Sequence, residues 1–247
     1  MKQNEPYTVL YSRLYKERFK ENLNRLDKAL KSIELPPLND DGENLLSKIK
    51  DEAIKLDRKP AEILNEVITN FYYRSTYVID PAKQNLAEEV AEIKLREIKC
   101  LTNITKLPDR GKKAFYICNG KLETGRAKKE KNSNKSSKAI DFYCVCGKYK
   151  VFIFHKRTHE GGGTQDDICS EVYSFINHVK SNGEKDTIFI IICDGQYFSN
   201  KRSDGSSVLE ELSNECIDMT NVKVSNLENS DLENYLNTLI PSPNPVN

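Results

Sequence analysis

No run of 18 apolar residues occurs in the 247-residue chain, and the first 30 residues, MKQNEPYTVLYSRLYKERFKENLNRLDKAL, carry charge throughout. A membrane-crossing helix needs about 20 mostly apolar residues, and a secretory leader needs an unbroken apolar segment. Neither is expected, no membrane partner is expected, and the protein reads as cytoplasmic. Paired cysteines are also missing. The seven cysteines, at 100, 118, 144, 146, 169, 193 and 216, form no C-x-x-C pair, and their number is odd. That spacing argues against a disulfide framework or a zinc site and for free thiols, several of them small buried side chains in strands. Gly161-Gly162-Gly163 is not followed by Gly-Lys-Ser/Thr. A phosphate-cradling P-loop is therefore excluded, and the glycines read as a permissive turn.

Net charge is nearly absent at +1, but its distribution is uneven. From Lys106 to Lys138 there are eleven lysines and arginines against three acids; from Asp204 onwards eight acids face one lysine. A basic segment of this kind suits a phosphate backbone, and KKEKNSNKSSK within it has the composition of a solvated loop that orders on a polyanion. With 38% hydrophobic and 30% charged residues, the chain can bury one good-sized core with an added helical subdomain.

Apolar residues at helical spacing predict one or two helices over residues 7 to 33, a break at Leu35–Gly42, a helix at about 43 to 57, a third from Pro60 to about Tyr73 and a fourth from Pro81 to Leu101. Residues 1–105 therefore read as a helical region, for dimerisation or DNA contact. After Leu107-Pro108 the pattern changes. AFYICNG-KLETG reads as a hairpin, Ile140–Cys146 and Val151–Lys156 as a second, Thr164–Lys180 as a helix and Asp186-TIFIIICDG, a short apolar run bounded by turn residues, as a buried strand. A helix at Val208–Ile217, a short strand at Val222–Ser225 and a last helix at Ser230–Leu239 follow. This order predicts an α/β core over 106–240 with a mixed sheet flanked by helices, a basic loop at 121–138 and a disordered tail at 241–247.

The second hairpin carries the chemistry. Alternation puts Phe152, Phe154 and Lys156 on one face and Val151, Ile153 and His155 on the other. Hairpin pairing brings Asp141, at the open end of the first strand, beside the end of the second, where Lys156 sits. Phosphodiester hydrolysis needs a hard cation on carboxylate and carbonyl oxygens and a positioned water. Asp141 is the expected metal ligand and Lys156 the residue that orients water. The His155 side chain reads as packing, but its backbone carbonyl is a further candidate ligand. Tyr72 with Tyr73, and Tyr197 with Phe198, are aromatic pairs that suit either core packing or base stacking.

Here the chain resembles the PD-(D/E)XK nucleases, in which an acid on one strand is followed by an acid-x-Lys triplet on the next. The triplet in this chain is Phe154-His155-Lys156, so the second acid is absent from its usual place. KSSKAIDF, the FHKRT segment, GGGTQDD and IFIIICDGQYF together resemble type II restriction endonucleases across roughly residues 80 to 225. The resemblance implies a restriction-endonuclease-like fold, a Mg²⁺ cofactor, double-stranded DNA as substrate and a homodimer. The displaced carboxylate is sought at Glu88, which we favour, or Glu89, Glu160, Gln165 or Asp166. The expected catalytic set is Asp141, Lys156, Glu88 and Gln165, and the expected metal set is Asp141, the His155 carbonyl, Glu88 and Asp166. Lys112, Lys113, Arg126, Lys128, Lys129, Lys138 and Arg157 are the expected DNA contacts. An inactive DNA-binding protein on the same fold and a protein-interaction module are the rival readings.

Overall fold

The computed structural model describes residues 5–34, 37–125, 138–158 and 163–240, with backbone alone at Lys138 and 163–166. The expected tail at 241–247 and residues 126–137 of the expected basic loop lie outside the described residues. Contacts divide the chain into two compact units, Leu10–Leu86 and the rest.

The first unit is helical. One long helix, α1 (Tyr7–Glu34), begins in the other unit and supplies Leu26, Ala29 and Leu30 to the helical core. Asn39 caps α2 (Asp40–Leu56) by accepting the Gly42 N–H at 2.7 Å, and Asp57 ends it in a left-handed conformation. Pro60 opens α3 (Pro60–Thr69) as expected, but the helix does not reach Tyr73. Asn70 takes an extended backbone and accepts the Tyr73 N–H, ending α3 and starting the short α4 (Phe71–Thr76). Its side chain competes locally with helix continuation. Ile49, Ile63 and Val67 are the most buried members of this core.

The expected helix over 81–101 is not continuous. In the helical unit only a single 3-10 turn forms at Pro81–Lys83; α5 (Leu86–Glu97) follows Asn85, whose φ is +58°, and carries the chain into the second unit. The next residues, LTNITK, make a strand, β1 (Leu101–Lys106). It is a sheet edge with only Leu101 buried and a bulge between Thr102 and Thr105, so it lacks the apolar alternation that marks a strand in sequence.

β2 (Phe115–Cys118) and β3 (Lys121–Thr124) form the expected hairpin around Asn119-Gly120, both at positive φ, the turn chemistry that an Asn-Gly pair favours. β4 (Lys138–Ala139) joins β2, giving a small sheet of order β3-β2-β4. The main sheet adds β5 (Phe142–Cys146), β6 (Tyr149–Arg157), β7 (Thr187–Asp194) and β8 (Val222–Ser225) to β1, in the order β1-β5-β6-β7-β8. β1, β5 and β6 are antiparallel in turn, whereas β6, β7 and β8 are parallel. α6 (Gly163–Val179) crosses from β6 to β7. α7 (Gln196–Ser199) and α8 (Val208–Asn214) lead to β8, and α9 (Asp231–Leu239) closes the chain. The fold is thus α/β, with a mixed sheet flanked by helices and an N-terminal helical region. Among the described residues no helix is long and apolar enough to cross a membrane.

Strand alternation sorts the core. Phe152 and Phe154 of β6, with Phe189, Ile191 and Cys193 of β7, pack on Val172, Phe175, Ile176 and Val179 of α6. The rings of Phe154 and Phe175 are stacked 4.4 Å apart at an interplanar angle of 4°. Because Phe154 is only 2% exposed, Phe154→Ala is expected to cost about 3–5 kcal/mol, and Phe154→Leu under about 1.5 kcal/mol, in urea unfolding. Equal midpoints for the two variants would show that the stack is not part of the core.

Candidate functional site

The site lies where β5 begins and β6 ends. Asp141 precedes β5, and both its backbone groups are held: its N–H donates to Ile153 O at 2.9 Å, and its carbonyl accepts the Leu107 N–H at 2.8 Å. Its carboxylate Oδ2 accepts the His155 N–H at 2.7 Å, so the acid sits against the last turns of β6 as hairpin pairing predicts. Within a strand, N–H and C=O of one residue leave by the same edge. The His155 carbonyl therefore projects from the β6 edge that Asp141 lines.

Burial pushes the Asp141 carboxyl up to about 6; the His155 N–H and the Lys156 charge pull it down, and the Glu88 carboxylate pushes it up further. The charges of Lys156 on β6 and of half-buried Glu88, in the first turn of α5, both act on Asp141, which precedes β5.

Lys156 meets a partner that sequence did not single out. Its Nζ lies 2.7 Å from Glu171 Oε2 on α6 and 5.1 Å from the centroid of the Phe154 ring. Glu171 stands 15 residues beyond Lys156, a distance no strand pattern reports; only the packing of α6 on the sheet brings them together. The Phe154 ring, two residues before Lys156, lies inside the core.

On the opposite face, the His155 imidazole is buried against Asp194, Nε2 to Oδ2 at 3.0 Å, with the Tyr7 ring 6.2 Å away. Asp194 is fully buried at the end of β7, and its Oδ1 accepts the Leu227 N–H at 2.8 Å. The signal for Asp194 was present in sequence as an acid closing the apolar run TIFIIIC. Gly195, at φ +103°, follows; a Cβ there would lie 2.0 Å from the Thr158 carbonyl oxygen, so only glycine lets the chain turn so close to β6.

Gln165 and Asp166 belong to the first turn of α6, and their side chains, with Glu160, lie outside the described residues. Arg126, Lys128 and Lys129 lie outside them as well, and Lys138 is described by its backbone in β4. Lys112 and Lys113 are exposed, in a loop that starts at Leu107 beside Asp141 and is pinned where the Tyr116 hydroxyl donates to Asp109 O at 2.8 Å. Arg157 is half-buried at the end of β6. Of the aromatic pairs, Phe198 is core and Tyr73 donates to Glu52 at 2.5 Å, whereas Tyr72 is 84% exposed.

Among the described residues, no three His, Cys, Asp or Glu side chains cluster as a ready-made metal site. The oxygen donors at the sheet edge are the Asp141 carboxylate and the His155 carbonyl, with the Glu88 charge acting on the first. That hard-oxygen set is incomplete without water and fits Mg²⁺, which keeps several waters, better than zinc. No protein-family model, curated protein or solved structure matches the chain.

The raised Asp141 carboxyl gives a signed prediction in the absence of divalent ions. A folded value of about 6, above the ordinary carboxylate range, means that the acid's contribution to stability is full below about pH 4 and is lost as pH rises through about 6. Asp141→Asn keeps an acceptor for the His155 N–H but does not ionise. Its melting temperature, in EDTA, should gain on that of the wild type between pH 4 and pH 6.5 and then run parallel. A constant offset across that range would contradict the assignment.

Proposed function

We propose that the protein is a Mg²⁺-dependent endodeoxyribonuclease of the type II restriction kind, hydrolysing phosphodiesters in double-stranded DNA. The observation that carries the reading is the Asp141 carboxylate held at the end of β6 by the His155 N–H at 2.7 Å, one residue before Lys156 in the strand, where it feels the charges of Lys156 and Glu88. Asp141, Glu88 and the His155 carbonyl would hold the Mg²⁺. When bound, the ion supplies charge stabilisation for the phosphorane and acidifies a water. Lys156, directed by Glu171, orients the attacking water and offsets the growing negative charge on the phosphate. Glu88 does the work of the acid that Phe154 displaces; Gln165 and Asp166 stand as its alternatives.

Lys112 and Lys113 begin a basic approach for the phosphate backbone, which Arg126, Lys128, Lys129, Lys138 and Arg157 would extend. Cutting both strands calls for two sites, so the reading entails a homodimer. One observation favours a second reading, a DNA-binding protein that does not cut: the acid position of the triplet is filled by a core aromatic.

Incubating unmethylated phage DNA with the protein in Mg²⁺ and in EDTA separates the two. Discrete fragments that need Mg²⁺ are expected, with a loss of at least about a hundredfold in rate for Asp141→Ala and Lys156→Ala. DNA that stays intact but shifts on a gel equally well in EDTA would favour the non-cutting reading.

A further inference from the structure

We infer that the buried His155–Asp194 pair is a positioning device for the cation site, setting the direction in which the His155 peptide presents its N–H and carbonyl at the sheet edge; the inference rests on reading that edge as the place of a hard divalent cation.

β7 runs apolar from Ile188 to Cys193 and then ends in an acid that is completely buried. Burying a carboxylate and an imidazole costs free energy that an apolar pair of the same volume would not, so the fold alone does not require them. Asp194 satisfies every contact it makes at the strand end. Oδ2 meets the imidazole at 3.0 Å, Oδ1 accepts the Leu227 N–H at 2.8 Å, and its carbonyl accepts the Thr158 N–H at 3.0 Å. The end of β6 is thereby tied to β7 on both sides of Lys156, through His155 and through Thr158.

His155 is the residue through which that tie reaches the site. Its side chain is fixed from the rear by Asp194, while its N–H holds the Asp141 carboxylate at 2.7 Å and its carbonyl leaves by the same edge. Because the ring and the peptide share one Cα, anchoring the ring limits rotation of the peptide. Freeing the ring loosens two donors at once, the carbonyl and the oriented Asp141. Lys156 and its contact with Glu171 lie on the other face and are untouched.

The test uses Mn²⁺ binding to the full chain, read by electron paramagnetic resonance, so that it does not depend on cleavage. His155→Leu should weaken Mn²⁺ binding by about tenfold or more, as loss of an orienting partner does at metal sites. His155→Gln, which keeps a donor towards Asp194, should stay within about twofold of the wild type. Asp194→Asn, which preserves shape and keeps the variant folded, should weaken binding by about threefold. Ile192→Ala, opposite His155 in register on β7, is the control for a purely structural loss. Mn²⁺ binding unchanged in His155→Leu and Asp194→Asn, or weakened equally in Ile192→Ala, overturns the inference. If the wild type binds Mn²⁺ and the variants respond but DNA stays intact, the nuclease reading fails and the inference stands. A wild type that does not bind Mn²⁺ at millimolar concentration overturns the site and the inference together.

Discussion

β6 is paired along both edges, antiparallel to β5 and parallel to β7, and that double pairing fixes what every other element can contribute. A strand held on both sides cannot slip by one residue without turning its whole apolar set to the wrong face. Phe152 and Phe154 are therefore committed to the α6 side, His155 to the side of Tyr7, and the peptide edges to β5 and β7. The candidate site is the point at which this pairing ends. β5 stops short, Asp141 accepts the N–H that a longer β5 would have paired, and β7 closes in an acid and a glycine instead of another apolar residue.

Polar groups concentrate there for a physical reason. Along most of β6 every polar backbone group is paired and every side chain is in the core, so nothing is left to act on a ligand. At the C-terminal end of parallel strands the helices that follow diverge, and polar groups meet solvent. Lys156 keeps its stem against Phe154 and its ammonium at the margin, 30% exposed, which suits a residue that must be both fixed and charged. Asp141 sits deeper and holds its proton more tightly than an exposed acid.

The periodicity of residues 140–156 already contained the hairpin, the opposed faces of Lys156 and His155, and the nearness of Asp141 to the strand end, because all three follow from a two-residue repeat and a short turn. That Glu88 lies on a helix was legible as well. β1 was not legible: LTNITK is an edge with one buried side chain, and an edge does not impose alternation. The break at Asn70 was hidden because a capping side chain and a helical surface residue look alike until the backbone turns. Glu171 and Asp194 escaped for a different reason. Each matters through a contact across the fold, one to Lys156 and one to His155, and neither spacing belongs to a local repeat.

The aromatic residue before His155-Lys156 is committed to burial. Position 154 faces α6, where Phe175 offers a flat ring at stacking distance, and an aromatic there joins the sheet to its crossing helix through the largest apolar cluster described. A carboxylate in that place would be desolvated against Phe175 unless α6 moved away. With Phe154 seated, α6 comes close enough for Glu171 to reach Lys156 from the same face, while the Glu88 charge on α5 acts on Asp141. Lys156 thus has an aromatic ring beneath its stem and a carboxylate at its tip, both supplied because α6 packs on this face of the sheet.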